Sequence, residues 1–435
     1  MSLAGLTGAA RRRGDMGILF DAAYLGAGLA AFPWLAFKVA ADPRFRHRLD
    51  ERFGRVPPPA GDRPLWFHCA SVGEVNLIRP LVRRLRAERP GLGFYFSTLT
   101  RAGRQQAEAA FPGAPVSYFP LDFTPAVRAA LRRVRPSGVL LVELEVWPNF
   151  VEECGRLGIP VGVINGRLSG RSFARYRRFR GLFSRAFRGL RAAGAQNETY
   201  AGRFRALGAP AVVTGNLKFD AELTFDPETV GREWRARLGG EGVPVLVAGS
   251  THEPEERTLV EAFLRLRSEF PRLRLVLAPR HIERAAEVQK VVEAAGLPCY
   301  KRSRLPQGPV PDGVLLIDTV GELVQVYAGA DVVFIGGTFC ARGGQNMLEP
   351  AALGRPIVSG PSLSNFEEVA RVLVRAGGMR VLNAPSDLVA ALGAWLRDPA
   401  AGREAGRRAR EAVAAGRGAL ASTLALIRGA ILAEG

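Results

Sequence analysis

Glu74 is the residue from which the chemistry of this chain is approached. It closes the run "WFHCASVGE" (66–74), where an apolar stretch, Leu65 to Ala70, stops at Ser71-Val72-Gly73-Glu74. Leu77, Ile78, Leu81, Val82 and Leu85 then recur at helical spacing. Ser-x-x-Glu ahead of a helix is the reciprocal cap, in which both side chains bond orphan backbone N–H groups. A carboxylate at the mouth of a sheet is equally a group that can take a proton. The pattern alone leaves both roles open.

Other reactive residue types stand behind other apolar runs. Glu143-Leu144-Glu145 and Trp147-Pro148-Asn149 follow "GVLLV", Asn165-Gly166-Arg167 follows "PVGVI", and "VVTGNLKFD" ends with Lys218 and Asp220. In the second half, Ser250-Thr251-His252-Glu253 follows "LVAG", and Pro279-Arg280-His281 follows "LRLVLA". Asp318 to Glu322 follows "VLLI", and Gly336-Gly337-Thr338 leads into "ARGGQNMLEPAALG". A single Asp, Ser, Thr or Asn in such a place is ordinarily a helix cap. Glu349-Pro350 fits a helix start with Pro in the first turn, and His252 and His281 fit hydrogen-bonded loop histidines. Capping does not ask for Arg280 or Lys218, nor for the double glycines 336–337 and 343–344. Glycine lets a backbone approach a ligand closely, and helix amino-termini with an Arg bind phosphate. The second half therefore reads as a nucleotide or phosphate site. The first supplies carboxylates, one Lys and one Arg.

Short strands alternating with helical patterns must position these residues. "LWFHCA", "GFYFSTL", "GVLLVE", "PVGVING" and "RAAGAQN" form one series, and "PVLVAGS", "LRLVLAPR", "GVLLID", "DVVFIGG" and "RPIVSGP" a second. Near-continuous Val/Leu/Ile runs joined by helices imply parallel sheets covered on both faces. The expected class is α/β, with two doubly wound Rossmann-like domains facing a cleft and ligands at the strand carboxyl ends. Residues 46–220 form the first domain, 221–240 a strand-free linker, 241–400 the second domain and 401–435 a carboxyl-terminal helix.

The totals limit the partners. The chain has 435 residues, 47% of them apolar and 23% charged, which suits a folded protein and excludes a polytopic membrane protein or a disordered chain. A net charge of +19 points to an anionic partner or to Arg spread over the surface. Residues 167–191 hold nine Arg and no acid, with aromatic residues at helical spacing. That run reads as a helix packing aromatics inward while Arg faces water, and it suits an anionic lipid surface or a phosphorylated glycolipid. Residues 1–45 contain the apolar segment 16–37, whose one charge is Asp21 and whose flanks are both basic. The uncharged part is short for a spanning helix. The segment reads as a membrane anchor or interfacial helix, with a buried helix and a cleaved signal as alternatives. Four scattered Cys and four His give no metal-ligand spacing, and no Asp-x-Asp occurs. No metal or cofactor is expected.

The motifs "SVGE" (71–74), "ELEVWPN" (143–149), "INGRLS" (164–169), "AQNE" (195–198) and "TGNLKFD" (214–220) occur in this order. They continue as "STHEPEE" (250–256), "PRHIER" (279–284), "DTVGEL" (318–323) and "GGTFCARGGQNMLEPAA" (336–352). In these the chain resembles the 3-deoxy-D-manno-octulosonic acid (Kdo) transferases of lipid A assembly, inverting glycosyltransferases of GT-B architecture. Gln345, Met347 and Leu144 depart from the residues common there. The resemblance implies CMP-Kdo as donor and a primary hydroxyl of the tetraacylated, bisphosphorylated lipid A precursor as acceptor, at the cytoplasmic side of the inner membrane. It implies Glu74 as general base, Glu143 and Lys218 as transition-state stabilisers, and CMP contacts at Pro279, Arg280, Val320, Gly321, Glu322, Asn346, Met347, Leu348 and Glu349. Glu349 is the choice for the ribose hydroxyls. Arg280 and the helix amino-terminus at 346–349 would stabilise the departing phosphate.

Three other readings remain. One is a GT-B enzyme using a UDP-sugar on a lipid acceptor. Another is a basic nucleic-acid-binding protein, against which stand the absence of a recognised motif and the strand-end carboxylates. The third is a non-catalytic membrane-associated scaffold.

Overall fold

The computed structural model describes Asp21, Gly26 and residues 48–220, 223–305 and 307–432. Apart from those first two positions, the expected anchor segment 1–45 lies outside the described residues. Among the described residues no helix is long and apolar enough to cross a membrane. The chain divides into two compact units, the first formed by residues up to Asp220 together with Arg417 onward, the second by Ala221–Gly416.

The first unit is built on β1 (Leu65–His68), β2 (Phe94–Thr98), β3 (Val116–Tyr118), β4 (Gly138–Val142), β5 (Val161–Gly166), β6 (Ala192–Ala195) and β7 (Ala211–Val213). They pair, all parallel, in the order β3-β2-β1-β4-β5-β6-β7. The order reverses between β1 and β4, and Glu74 and Glu143 follow those two strands. Such a switch point is where a doubly wound sheet opens for a ligand. Helix α1 (Val72–Glu88) buries Val75, Ile78, Leu81, Val82 and Leu85 against the sheet. α2 (Pro148–Arg156) starts with Pro in its first turn. The arginine-rich stretch forms two helices, α3 (Gly170–Arg178) and α4 (Arg180–Gly189), which meet at Phe179.

The second unit contains β8 (Val245–Thr251), β9 (Arg274–Pro279), β10 (Cys299–Lys301), β11 (Val314–Leu316), β12 (Val332–Ile335), β13 (Ile357–Ser359) and β14 (Met379–Val381). Their order is β10-β11-β9-β8-β12-β13-β14, again all parallel, with the switch point between β8 and β12. The segment expected as a linker contains α5 (Pro227–Arg237), capped by Asp226, with Trp234 buried and Gly231 backed onto Ala328. α6 (Glu255–Arg267) follows β8, and α7 (Leu348–Ala352) follows the glycine-rich loop after β12.

The tail is not one helix. α8 (Pro399–Ala415) belongs to the second unit, whereas α9 (Ala419–Leu426) and the π-turn Ile427–Ile431 belong to the first. Leu424, Ile427 and Ile431 join the core beside Leu140, Val142 and Ile164. A Cβ on Gly138 or Gly162 would stand 2.5 or 2.9 Å from the Ile431 side chain, so both positions need glycine for this approach. The Asp220 carboxylate accepts from Gly418 N and Leu420 N, each at 2.7 Å, and so caps the returning helix.

Candidate active site

Ser71 caps α1. Its Oγ accepts from Glu74 N at 3.4 Å and donates to Glu74 Oε1 at 3.1 Å. Glu74 Oε2 accepts from Ala70 N at 2.7 Å, one residue before the N-cap rather than at it. The cap thus fixes the carboxyl at the end of β1. Burial, then Glu143, then Glu145 push its pKa up to about 8 against the opposing hydrogen bonds. A carboxyl with that proton affinity is suited to act as a base near neutral pH. Capping and proton transfer are therefore compatible in one side chain. A Cβ added at neighbouring Gly73 would meet only Ser71 Oγ, at 3.8 Å, so the space beside the carboxyl is open.

Glu143 leaves β4 at φ 59°, a left-handed conformation costly for a residue with a Cβ. Its N–H donates to Ile164 O at 3.0 Å, which holds it there. Glu145 Oε2 accepts from Trp147 Nε1 at 3.2 Å and lies 3.9 Å from His68 Nε2. Burial holds the His68 pKa down to about 3, so the ring is neutral, and it stacks on Phe119 with centroids 3.9 Å apart. The sequence places Glu145 behind the strand with Glu143 but gives it no role, and it does not single out His68. His68 reads there as one more position of a buried strand.

Lys218 stands in the 3-10 turn Leu217–Asp220, which packs against α1. Leu217 N donates to Asn165 Oδ1 at 3.0 Å and Lys218 N to Asn216 Oδ1 at 3.1 Å. Gln196 Nε2 donates to Asn165 O at 3.1 Å, and Asn165 itself sits at φ 52°. Motifs far apart in the chain thus form one hydrogen-bonded lattice that places the turn carrying Lys218.

In the second unit the double glycines do not offer free amides. Gly336 N donates to Gly249 O at 2.9 Å, and Gly337 N to Glu255 Oε2 at 2.8 Å. Gly343 N donates to Ser362 Oγ at 3.1 Å and Gly344 N to Gly337 O at 2.9 Å. Glu255, 1% exposed, also accepts from His252 N, Thr338 N and Phe339 N at 2.8 to 2.9 Å. One buried carboxyl group therefore fills the glycine-rich loop after β12 from inside and ties the ends of β8 and β12 together. Glycine is required at 336 by packing, since a Cβ would stand 2.4 Å from Ser250 O. The amides of 336–337 and 343–344 are thus satisfied by the protein itself.

Side chains supply the positive charge instead. Arg280 follows buried Pro279, is exposed, anchors its N–H on Thr251 O at 2.9 Å, and has no carboxylate partner among the described residues. The His252 and His281 rings lie 5.7 Å apart, and Gln345 Nε2 is 3.4 Å from His252 Nε2. Burial, then His281 and Arg342, lower the His252 pKa. Val320 is exposed, Gly321 has φ 91°, and Glu322 is held by Arg302 at 2.8 Å and Thr319 at 2.6 Å. The Met347 and Leu348 side chains are core residues, 0% and 4% exposed, so they can face a ligand only through backbone groups. α7 has five residues and Asn346 Oδ1 already accepts from Leu348 N at 3.1 Å, which leaves little helix dipole for a phosphate. Burial raises the Glu349 pKa, opposed by Asn346. The helix Leu323–Ala328 after Glu322 packs on α7, which brings these two segments together. Among the described residues no group of His, Cys, Asp and Glu is arranged to hold a metal ion.

Residues 47–221 match the family model described as 3-deoxy-D-manno-octulosonic-acid transferase (kdotransferase). A 3-deoxy-D-manno-octulosonic acid transferase of Haemophilus influenzae is 32% identical over 89% of this chain and 92% of its own length. One from Bordetella pertussis is 37% identical over 86% of this chain and 89% of its own. The chain belongs to the Kdo transferase family. Acinetobacter baumannii MurG aligns with a TM-score of 0.54 over 85% of this chain and 100% of that one, at 14% identity, a likeness of fold. Two parallel seven-stranded units of this kind are the GT-B architecture expected of a Kdo transferase.

Proposed function

We propose that this chain transfers Kdo from CMP-Kdo to a hydroxyl of the lipid A precursor, with inversion and release of CMP. The observation that carries the reading is Glu74, a carboxyl fixed by its own cap at a switch point and raised to about 8. In the proposed step Glu74 takes the acceptor proton as the hydroxyl oxygen bonds to the anomeric carbon. The bond from that carbon to the phosphate oxygen breaks, and its electron pair leaves on CMP. Glu143 keeps the base strong through like charge, and Lys218 stabilises the transition state as a cation. Arg280, with His281 and Arg342 nearby, meets the charge developing on the phosphate. Pro279, Val320, Gly321, Glu322 and Asn346 line the nucleotide, Met347 and Leu348 contribute backbone groups, and Glu349 accepts from the ribose hydroxyls. The enzyme works at the cytoplasmic face of the inner membrane, with the arginine-rich elbow of α3 and α4 turned to anionic headgroups.

The test is to incubate purified protein with CMP-Kdo and lipid A precursor and weigh the lipid product. A mass increase of one or more Kdo units is expected, and Glu74→Gln should slow it by about 10²- to 10⁴-fold. A Glu74→Gln enzyme with the normal rate would overturn the assignment of the base. A product formed from a UDP-sugar and not from CMP-Kdo would overturn that of the donor.

A further inference from the structure

We propose that Arg302 is a positioning residue for the nucleotide: it neutralises Glu322 and, with Ser303, clamps the loop 318–322 against the end of the neighbouring strand. The inference rests on that loop serving CMP, as proposed above. The sheet order brings the parts together. β10, β11 and β9 are adjacent and parallel, so their carboxyl ends lie side by side. Lys301 pairs with Leu316, and Leu316 with Leu277. Arg302 and Ser303 therefore leave the sheet beside Asp318, which by register leaves it beside Pro279 and Arg280.

Both acids of the loop are engaged by this neighbour. Arg302 Nη2 donates to Glu322 Oε1 at 2.8 Å. Ser303 donates to Asp318 twice, from its N–H to Oδ1 at 2.9 Å and from Oγ to Oδ2 at 2.6 Å. Thr319 Oγ1 donates to Glu322 Oε2 at 2.6 Å, so each oxygen of that carboxylate has a donor. The guanidinium is held in turn. Its Nη1 donates to Leu305 O at 2.9 Å, and it lies 5.7 Å from the centre of the Trp234 ring on α5. Arg237, also on α5, donates to the same carbonyl at 2.8 Å. Arg302 Nε is buried with no hydrogen-bond partner among the described residues, so the two Nη bonds and the indole fix the group. Between these ties the loop is open to a ligand, with Val320 81% exposed. An unpaired carboxylate there would repel a nucleotide phosphate, and the ion pair with Arg302 removes that repulsion.

The test is CMP binding to the full chain by titration calorimetry. Arg302→Gln should raise the Kd about tenfold, and the KM for CMP-Kdo should rise with it while kcat falls far less. Arg302→Lys keeps the charge and should recover most of the affinity. In a Glu322→Gln background the carboxylate is gone, so Arg302→Gln should add less than about threefold. Unchanged CMP binding in a folded Arg302→Gln chain overturns the proposal. So does a full tenfold loss in the Glu322→Gln background, which would make Arg302 a direct nucleotide contact. If melting curves show that Arg302→Gln does not fold, Thr319→Val, which frees the other oxygen of Glu322, takes its place, and wild-type affinity in that variant overturns the proposal. A wild-type chain that binds UDP and not CMP would overturn the donor reading and this inference together, whereas the other outcomes leave the donor reading standing.

Discussion

At Glu74 two sets of forces oppose each other. The N–H of Ala70 and the hydroxyl of Ser71 favour the carboxylate, whereas burial and two neighbouring glutamates favour the acid and win, with a pKa near about 8 against an ordinary 4.5. A carboxyl whose folded pKa is raised contributes stability that is intact below about 4.5 and is lost as pH rises toward about 8. The ceiling on that loss is about 5 kcal/mol, reduced by solvent screening. Glu74→Gln cannot ionise and can keep the bonds to Ala70 and Ser71. It should melt higher than the wild type at about pH 9 and together with it at about pH 4, while losing activity; equal melting at the higher pH would show that Glu74 is not strained by ionisation. Glu255 is a buried carboxyl group that accepts from four N–H donors. Glu255→Gln would turn an amide NH₂ onto those donors and should cost the second unit about 3 kcal/mol in urea unfolding. The serine–glutamate spacing of α1 was legible in the sequence because both partners are local. The double glycines were not, because glycine reports only a close approach and the carboxylate that fills the loop at Gly337 is remote in the chain.

Among the elements, α3 and α4 show how far periodicity reaches. The aromatic spacing over 167–191 identified a helical stretch, and Phe173, Tyr176, Phe183 and Phe187 do pack inward on the core of the first unit. The break at Phe179 was not legible, since neither Phe179 nor Arg180 is a helix breaker and Gly181 is the local hint. The break turns Phe179 outward, 51% exposed, between exposed Arg177, Arg178 and Arg180. An apolar side chain ringed by cations is suited to a surface that is anionic outside and apolar beneath. Changing Arg177, Arg178 and Arg180 to Gln should weaken binding to liposomes containing anionic lipid by on the order of 1 kcal/mol per residue. Binding to neutral liposomes should stay the same. Sedimentation with both vesicle types measures this, and unaltered binding to the anionic ones would reject the elbow as a docking surface.

For the whole molecule, two apolar strand series were enough to expect two parallel sheets, because strands buried on both faces leave little room for polar residues. The path of the tail was hidden, because an Ala/Arg-rich run reads as one continuous helix. Gly418, at φ 104°, interrupts it, and the capture of the next helix start depends on Asp220, a residue of a distant motif. The chain leaves the first unit after Asp220 and returns at Arg417, so this carboxylate ties both crossings together. The returning segment then completes the core of the first unit, with Ile431 seated over Gly138 and Gly162. Neighbouring side chains cannot refill that space, because glycines floor it. Ile431→Ala should therefore cost about 2–5 kcal/mol, as expected for a cavity that does not collapse. The loss should appear in the urea transition of the first unit alone, read by the fluorescence of Trp66 and Trp147, and leave that of Trp234 and Trp395 in the second unit unmoved. A shift of the second unit's transition by a similar amount would show that the last helix stabilises the unit from which the chain has just emerged, contrary to its packing.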